Sequence, residues 1–245
     1  VYRAGQFFQY YAAEVLRQMG DTADSVRPGV EIEVRREPMG VVTVISPWNF
    51  PTATASWKIA PALAFGNAVI WKPANLTPAS AVLLTEIIAK QDIPAGLFNL
   101  VMGAGASVGE KLINSVGIDA ISFTGSLAVG KRVAVAAAGN LTKFQLEMGS
   151  KNALVVLDDA DLDNAADCAV NGAFGGSGQK CTASSRLIVT AGVHDAFVVK
   201  VQERMAKLKV GGALEEGVTI GPAVDAKQHA QNKEYFKLAQ DEGAH

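Results

Sequence analysis

After an opening stretch of helical periodicity, about Arg3 to Met19, and an exposed, charge-rich segment around Pro28 and Gly29, short apolar runs alternate with longer amphipathic ones. Gly40 to Ile45 (GVVTVI), Ala68 to Trp71 (AVIW), Phe98 to Met102 (FNLVM) and Ala120 to Phe123 (AISF) are rich in β-branched or aromatic residues, and they read as buried strands. Between them the pattern predicts helices at about Ala53 to Ala64, Pro78 to Lys90, Ala106 to Ser115 and Leu127 to Ala138, several opened by Ser, Thr or Pro. Alternation of this kind requires right-handed crossovers and a parallel sheet with helices on both faces. Further on, strands are expected at Phe144 to Glu147, Ala153 to Leu157 and Leu187 to Thr190, with helices near Leu162 to Gly172 and Val193 to Lys209 and an amphipathic stretch from Lys227 to Glu242. Glu147-Met148-Gly149-Ser150 interrupts two apolar runs where the βα series restarts, which marks a domain junction. The expected fold class is α/β: a doubly wound parallel sheet over residues 1–147, followed by the start of a second α/β domain over residues 148–245.

Composition narrows the chemistry. With 49% apolar and 19% charged residues, the chain can bury a real core. A net charge of −2 offers no basic field, which argues against nucleic acid and membrane surfaces as partners and for a small ligand held by local groups. The sequence lacks an apolar run of membrane-spanning length and the order of a secretory signal, so the expectation is a cytoplasmic protein. Two cysteines, Cys168 and Cys181, make no disulfide framework, and the histidines His194, His229 and His245 have no metal-ligand spacing, so no metal is expected. The chain starts at Val1, without methionine and already inside a helical pattern, and stops just past an amphipathic stretch; it reads as an excerpt.

Several segments carry candidate chemistry. PWNFP (Pro47 to Pro51) follows the strand GVVTVI, and strand ends in doubly wound sheets face the ligand crevice, so the Asn49 amide is a candidate donor to an oxyanion. Taken alone the segment is also a tight turn with a capped helix start. In WKPAN (Trp71 to Asn75), Lys72 offers a charge or hydrogen bond to a cofactor's phosphate or ribose; alone it is an ordinary solvated lysine. In FTGSLAVG (Phe123 to Gly130) a strand runs through Gly125 and Ser126 into a helix, whose free N–H groups and positive dipole end suit a pyrophosphate. The two-glycine pattern is not GxGxxG and has a purely conformational reading as well. In GGSGQKCTASSR (Gly175 to Arg186), Cys181 sits among glycine, serine, glutamine and lysine, which argues for an accessible thiol with Lys180 favouring thiolate. Cys168, among alanines in a predicted helix, is expected to be buried and inert. His194 and His229 lie in stretches that read as surface, so a Cys–His pair has little support. Glu147, at the end of FQLE, is better placed as a general base, and an apolar setting there would raise its pKa.

Taken together, PWNFP, WKPAN, FTGS, LEMGSKN and GQKCTASSR follow the order and approximate spacing of the aldehyde dehydrogenase superfamily, which essentially the whole chain resembles. The resemblance implies a Rossmann-like cofactor-binding domain over 1–147 and a partial catalytic domain over 148–245. It implies Cys181 as the nucleophile on the aldehyde carbonyl, the Asn49 side chain with the Cys181 N–H as oxyanion hole, and Glu147 as the base that activates hydrolytic water. Retaining that glutamate favours hydrolysis over transfer to coenzyme A. Lys72 is similar to the family lysine at the adenosine ribose, Ser126, after Gly125, to the serine at the pyrophosphate, and Trp48 to the cofactor-pocket tryptophan. Where NAD-preferring members commonly carry a glutamate three residues after that lysine, this chain has Asn75; loss of that negative charge removes repulsion toward a 2′-phosphate, so the cofactor is NADP or NAD, with NADP favoured.

The wording of SVRPGVEIEV, WKIAPALAFGNAVIWKPANLTPAS and GGSGQKCTASS is similar to that of bacterial dehydrogenases of 2-oxoglutarate semialdehyde, also called 2,5-dioxopentanoate; succinate semialdehyde, betaine aldehyde and aliphatic aldehydes fit nearly as well. Glu31 to Pro38 (EIEVRREP) resembles the family's bridging strand, which implies a homodimer or homotetramer. Two other classes stay open: a cysteine-dependent acyltransferase or hydrolase that uses no nicotinamide, and a non-catalytic relative on the same fold.

Overall fold

The computed structural model describes residues 1–244; His245, one of the histidines weighed as a metal ligand, lies outside the described residues. The chain divides into two compact units, Val1–Met148 and Gly149–His245.

The first unit opens with α1 (Tyr2–Glu14), which ends in a tight turn at Val15–Arg17 earlier than the periodicity predicts, followed by β1 (Asp21–Asp24) and β2 (Glu31–Val34). These two strands pair antiparallel and are exposed along their whole length. The βα series then runs β3 (Val41–Ile45), α2 (Ala53–Ala64), β4 (Ala68–Lys72), α3 (Pro78–Ala89) and β5 (Phe98–Leu100). A wide helical turn at Gly105–Gly109 leads into α4 (Glu110–Ile113), then come β6 (Ala120–Gly125), α5 (Leu127–Gly139) and β7 (Lys143–Met148). The helix expected over Ala106 to Ser115 is thus split, its first part a wider, underwound turn bounded by the glycines at 105 and 109.

The sheet order is β5-β4-β3-β6-β7, every pair parallel. Because strand side chains alternate between faces, Val42, Val44, Val69 and Trp71 pack with Ala55 and Ile59 of α2 on one side. Ile121 and Phe123 pack with Val133 and Ala137 of α5 on the other, joined by Val41, Ile45 and Ile70. Both faces are covered, which is why these strands read as near-continuous apolar runs. Each fully buried side chain of this kind contributes about 1.5–3 kcal/mol. From β3 the chain winds outward to β5, then returns to the other side of β3 for β6 and β7. The order reverses between β3 and β6, and such a reversal opens a ligand crevice beyond the strands' carboxyl ends.

The second unit holds β8 (Asn152–Val156), α6 (Leu162–Phe174), β9 (Ser184–Val189), α7 (His194–Met205) and α8 (Ala226–Asp241). β8 and β9 pair in parallel, and Val156, Ala166, Ala169 and Phe197 form the core between the strands and helices. Asp161 caps α6 by accepting from the Asp163 and Asn164 N–H groups, and Arg204 of α7 ties back to Asp163 and Asp167. Cys168 departs from expectation: it is exposed. The inward face of α6 is set by Ala166, Ala169 and Val170, and residue 168 falls outside that stripe. Among the described residues no helix is long and apolar enough to cross a membrane.

Candidate active site

In the first unit the predicted site residues gather at the carboxyl edge of the sheet. Beyond β3, Ser46 is buried and accepts from the Trp71 indole N–H at 2.9 Å, which fixes the strand exit. Trp48 and Asn49 follow, both half-buried. Asn49 Oδ1 accepts from the Phe50 N–H at 3.1 Å, so the carboxamide is oriented by its own turn.

Lys72 ends β4, in register with Ile45. Contrary to the solvated reading, it is only 5% exposed; its ammonium donates to the Pro73 carbonyl at 2.8 Å, and burial lowers its pKa. Asn75, three residues on, is exposed. At the end of β6, Gly125 and Ser126 lead into α5, where Ser126 Oγ caps the helix from the Val129 N–H at 3.4 Å. The glycines here have an internal reason: a Cβ on Gly125 would meet the Phe123 ring at 2.5 Å, and one on Gly130 the Met148 sulfur at 2.4 Å.

Two observations fit a dinucleotide at this edge. Among the described residues the buried hydroxyls of Thr43, Thr77 and Thr124 have no hydrogen-bond partner; Thr43 lies within β3, while Thr124 stands beside Gly125 and Thr77 just before α3 and close in sequence to Lys72. Burying an unpaired hydroxyl is costly unless a ligand or water satisfies it. The Lys72 ammonium carries three donors. Among the described residues no group of three or more His, Cys, Asp or Glu side chains is placed to hold a metal ion.

Glu147, on β7, pairs in register with Thr124 of β6. It is exposed rather than enclosed in an apolar setting, and its Oε1 accepts from Gln145 Nε2 at 2.7 Å. Gln145 Oε1 in turn accepts from Lys58 Nζ at 2.9 Å and from Ser122 Oγ at 2.8 Å. Lys58 comes from α2, is 5% exposed, and has its pKa pulled down to about 8 by burial, with the charge of Glu147 opposing. Neither Lys58 nor Gln145 is singled out by sequence reasoning. The signals were present: a lysine inside the apolar helix SWKIAPALA, and the two-residue spacing that puts Gln145 on the same face of the strand as Glu147.

In the second unit Cys181 is exposed on the loop between α6 and β9. Three residues in a row, Gly176, Ser177 and Gly178, take left-handed φ of 64°, 60° and 67°. Ser177 holds this conformation with its hydroxyl donating to the Gly221 carbonyl at 2.7 Å, a contact the sequence does not reveal. Gln179 clamps the same loop, donating to the Pro222 carbonyl and accepting from the Val224 N–H. Asn152 of β8 donates to the Cys181 carbonyl at 2.7 Å and to that of Ala183 at 3.1 Å. The neighbouring ammonium of Lys180 is aimed at the Asn171 carbonyl, 3.1 Å away, and not at the thiol as its sequence position suggests.

The sequence matches the description "Aldehyde dehydrogenase family" over residues 1–245. The chain belongs to the aldehyde dehydrogenase family. An alpha-ketoglutaric semialdehyde dehydrogenase of Bacillus subtilis is 43% identical over 236 residues, 96% of this chain and 48% of the relative. A 2,5-dioxopentanoate dehydrogenase of Saccharolobus solfataricus is 43% identical over 246 residues, 100% of this chain and 51% of the relative. Among solved aldehyde dehydrogenase structures, that of a Staphylococcus aureus betaine aldehyde dehydrogenase in complex with NAD+ superposes with a TM-score of 0.94 at 37% identity, over 97% of this chain and 47% of that one. An Escherichia coli structure described as an NADP dependent enzyme gives 0.94 at 39% identity, over 98% of this chain and 50% of that one. The chain therefore spans about half the length of the relatives it matches.

Proposed function

We propose that an aldehyde dehydrogenase of full family length carrying this sequence oxidises an aldehyde to a carboxylic acid with NAD or NADP. Residues 1–147 hold the dinucleotide and residues 148–245 supply the nucleophile. Lys72, Gly125 and Ser126 meet the ribose and pyrophosphate, Trp48 lines the pocket, and Asn75, in place of a carboxylate, removes repulsion toward a 2′-phosphate, so NADP is favoured. The bound nicotinamide supplies the hydride acceptor.

Cys181 Sγ attacks the aldehyde carbon, and the Asn49 amide with the Cys181 N–H stabilises the oxyanion of the thiohemiacetal. Loss of hydride leaves a thioester on Cys181. Glu147 takes a proton from the water that attacks the thioester carbon; the C–S bond breaks and the acid leaves. The observation that carries this reading is the register of β6 with β7, in which Thr124, next to Gly125 and Ser126, pairs with Glu147. A carboxylate thereby stands on the strand beside the helix start that suits a pyrophosphate.

For substrate, a semialdehyde such as 2-oxoglutarate semialdehyde is favoured: two relatives of that description are 43% identical and a third 38%, beside betaine aldehyde dehydrogenases at 40% and 41% and a succinate-semialdehyde dehydrogenase at 39%. The exposed β2 suits pairing with a second copy, giving a homodimer or homotetramer in the cytoplasm. The test is reduction of NAD and of NADP by the full-length enzyme with 2-oxoglutarate semialdehyde and a short aliphatic aldehyde, beside Cys181→Ala. Reduction that the substitution abolishes supports the proposal. Thiol-dependent ester hydrolysis without any reduction supports a hydrolase instead.

A further inference from the structure

Glu147 is exposed on β7, the strand at the end of the sheet order, and a neighbouring side chain holds it. Gln145, two residues earlier and on the same face of β7, donates from Nε2 to Glu147 Oε1 at 2.7 Å. The direction of that amide is not arbitrary. Lys58 Nζ lies 2.9 Å from Gln145 Oε1, and a protonated amine only donates, so the oxygen of the carboxamide must face Lys58 and the NH₂ must face Glu147. Ser122 Oγ, donating to the same oxygen at 2.8 Å, reinforces the choice. Lys58 is itself locked by burial and by Ser122. The order of the carboxylate thus derives from a buried anchor on α2, passed through a single amide.

We propose that Gln145 is a positioning residue for Glu147: by holding one carboxylate oxygen through its amide, it turns the other to receive the proton of the attacking water. This rests on the reading of Glu147 as the base of thioester hydrolysis. In that step the water oxygen bonds to the thioester carbon, its proton passes to the unheld oxygen of Glu147, and the C–S bond breaks to release the Cys181 thiolate. Gln145 transfers nothing. It keeps Oε1 occupied as an acceptor, and a base misplaced by about an ångström loses on the order of tenfold to a hundredfold in rate.

The experiment uses the full-length enzyme with Gln145→Met and Gln145→Glu, following the first turnover of nicotinamide reduction as well as the steady state. Gln145→Met removes the amide at similar length. Gln145→Glu keeps an acceptor for Lys58 and Ser122 but replaces the donor facing Glu147 with a repelling carboxylate. The expected result in both is a first turnover within about twofold of the unsubstituted enzyme, kcat lower by about tenfold to a hundredfold, and KM for the aldehyde falling with it so that kcat/KM is kept. Added to Glu147→Gln, either substitution produces no further loss. An unchanged kcat in either folded variant, a slowed first turnover with reduced kcat/KM, or losses that add to those of Glu147→Gln would each overturn the proposal and leave Gln145 as a support for Lys58 alone. A folded Gln145→Glu enzyme decides the matter if the methionine variant does not accumulate. Absence of Cys181-dependent reduction in the unsubstituted enzyme overturns the functional reading itself, and is seen before any Gln145 variant is measured.

Discussion

Lys58 Nζ and Gln145 Oε1 meet at 2.9 Å, joining the middle of α2 to the edge strand β7 across 87 residues of sequence. The lysine keeps hydrogen-bond acceptors there but loses its water, and its pKa falls from 10.5 to about 8. A group whose folded-state pKa lies below its unfolded value binds fewer protons when folded, so stability rises with pH between the two values. Relative to Lys58→Met, the protein should gain about 3 kcal/mol of unfolding free energy as pH rises from below 8 to above 10.5. Urea titrations of both proteins across that window check this; a difference that stays flat or shrinks with rising pH contradicts it.

On the proposed reading, Asn75 stands where a carboxylate would repel the 2′-phosphate of NADP. Asn75→Glu in the full-length enzyme should lower kcat/KM for NADP by about tenfold or more relative to NAD, the effect of adding a single like charge beside the ligand. Because Asn75 is exposed, the fold should be untouched. Unchanged cofactor preference would place the 2′-hydroxyl end of the cofactor elsewhere.

The loop before Cys181 makes separable demands on its glycines. Gly178 has a φ of 67°, and a Cβ there would meet the Ala173 carbonyl oxygen at 2.9 Å, whereas Gly176, with a φ of 64°, has only ordinary contact with Lys180. Gly178→Ala should therefore destabilise the second unit by about 2–3 kcal/mol and Gly176→Ala by about 1 kcal/mol, from left-handed strain with and without a backbone clash. Thermal unfolding of the two variants side by side measures the gap, and equal losses would argue against it.

Most of the sheet was legible in the sequence because buried parallel strands leave nothing but apolar, β-branched runs; Val41–Ile45 and Ala120–Gly125 are instances. β1 was not, since Asp21–Asp24 is polar, exposed on both faces and defined only by its pairing with β2. Cys181, Glu147 and Asn49 stood out through their motifs, but the contacts that hold them did not. Gln145 to Lys58 and Ser177 to Gly221 are long-range pairs, fixed by how elements pack and not by any local pattern. Cys168 shows the opposite failure: its alanine neighbours suggested burial, while the helix phase turns it outward.

The central claim is that a thioester forms on Cys181 and waits for Glu147. Glu147→Gln in the full-length enzyme, mixed with 2-oxoglutarate semialdehyde and NADP and then quenched, should yield about one reduced nicotinamide per active site and an acyl adduct on the Cys181 peptide by mass spectrometry. No adduct, an adduct on Cys168, or an adduct formed without nicotinamide reduction would contradict the account.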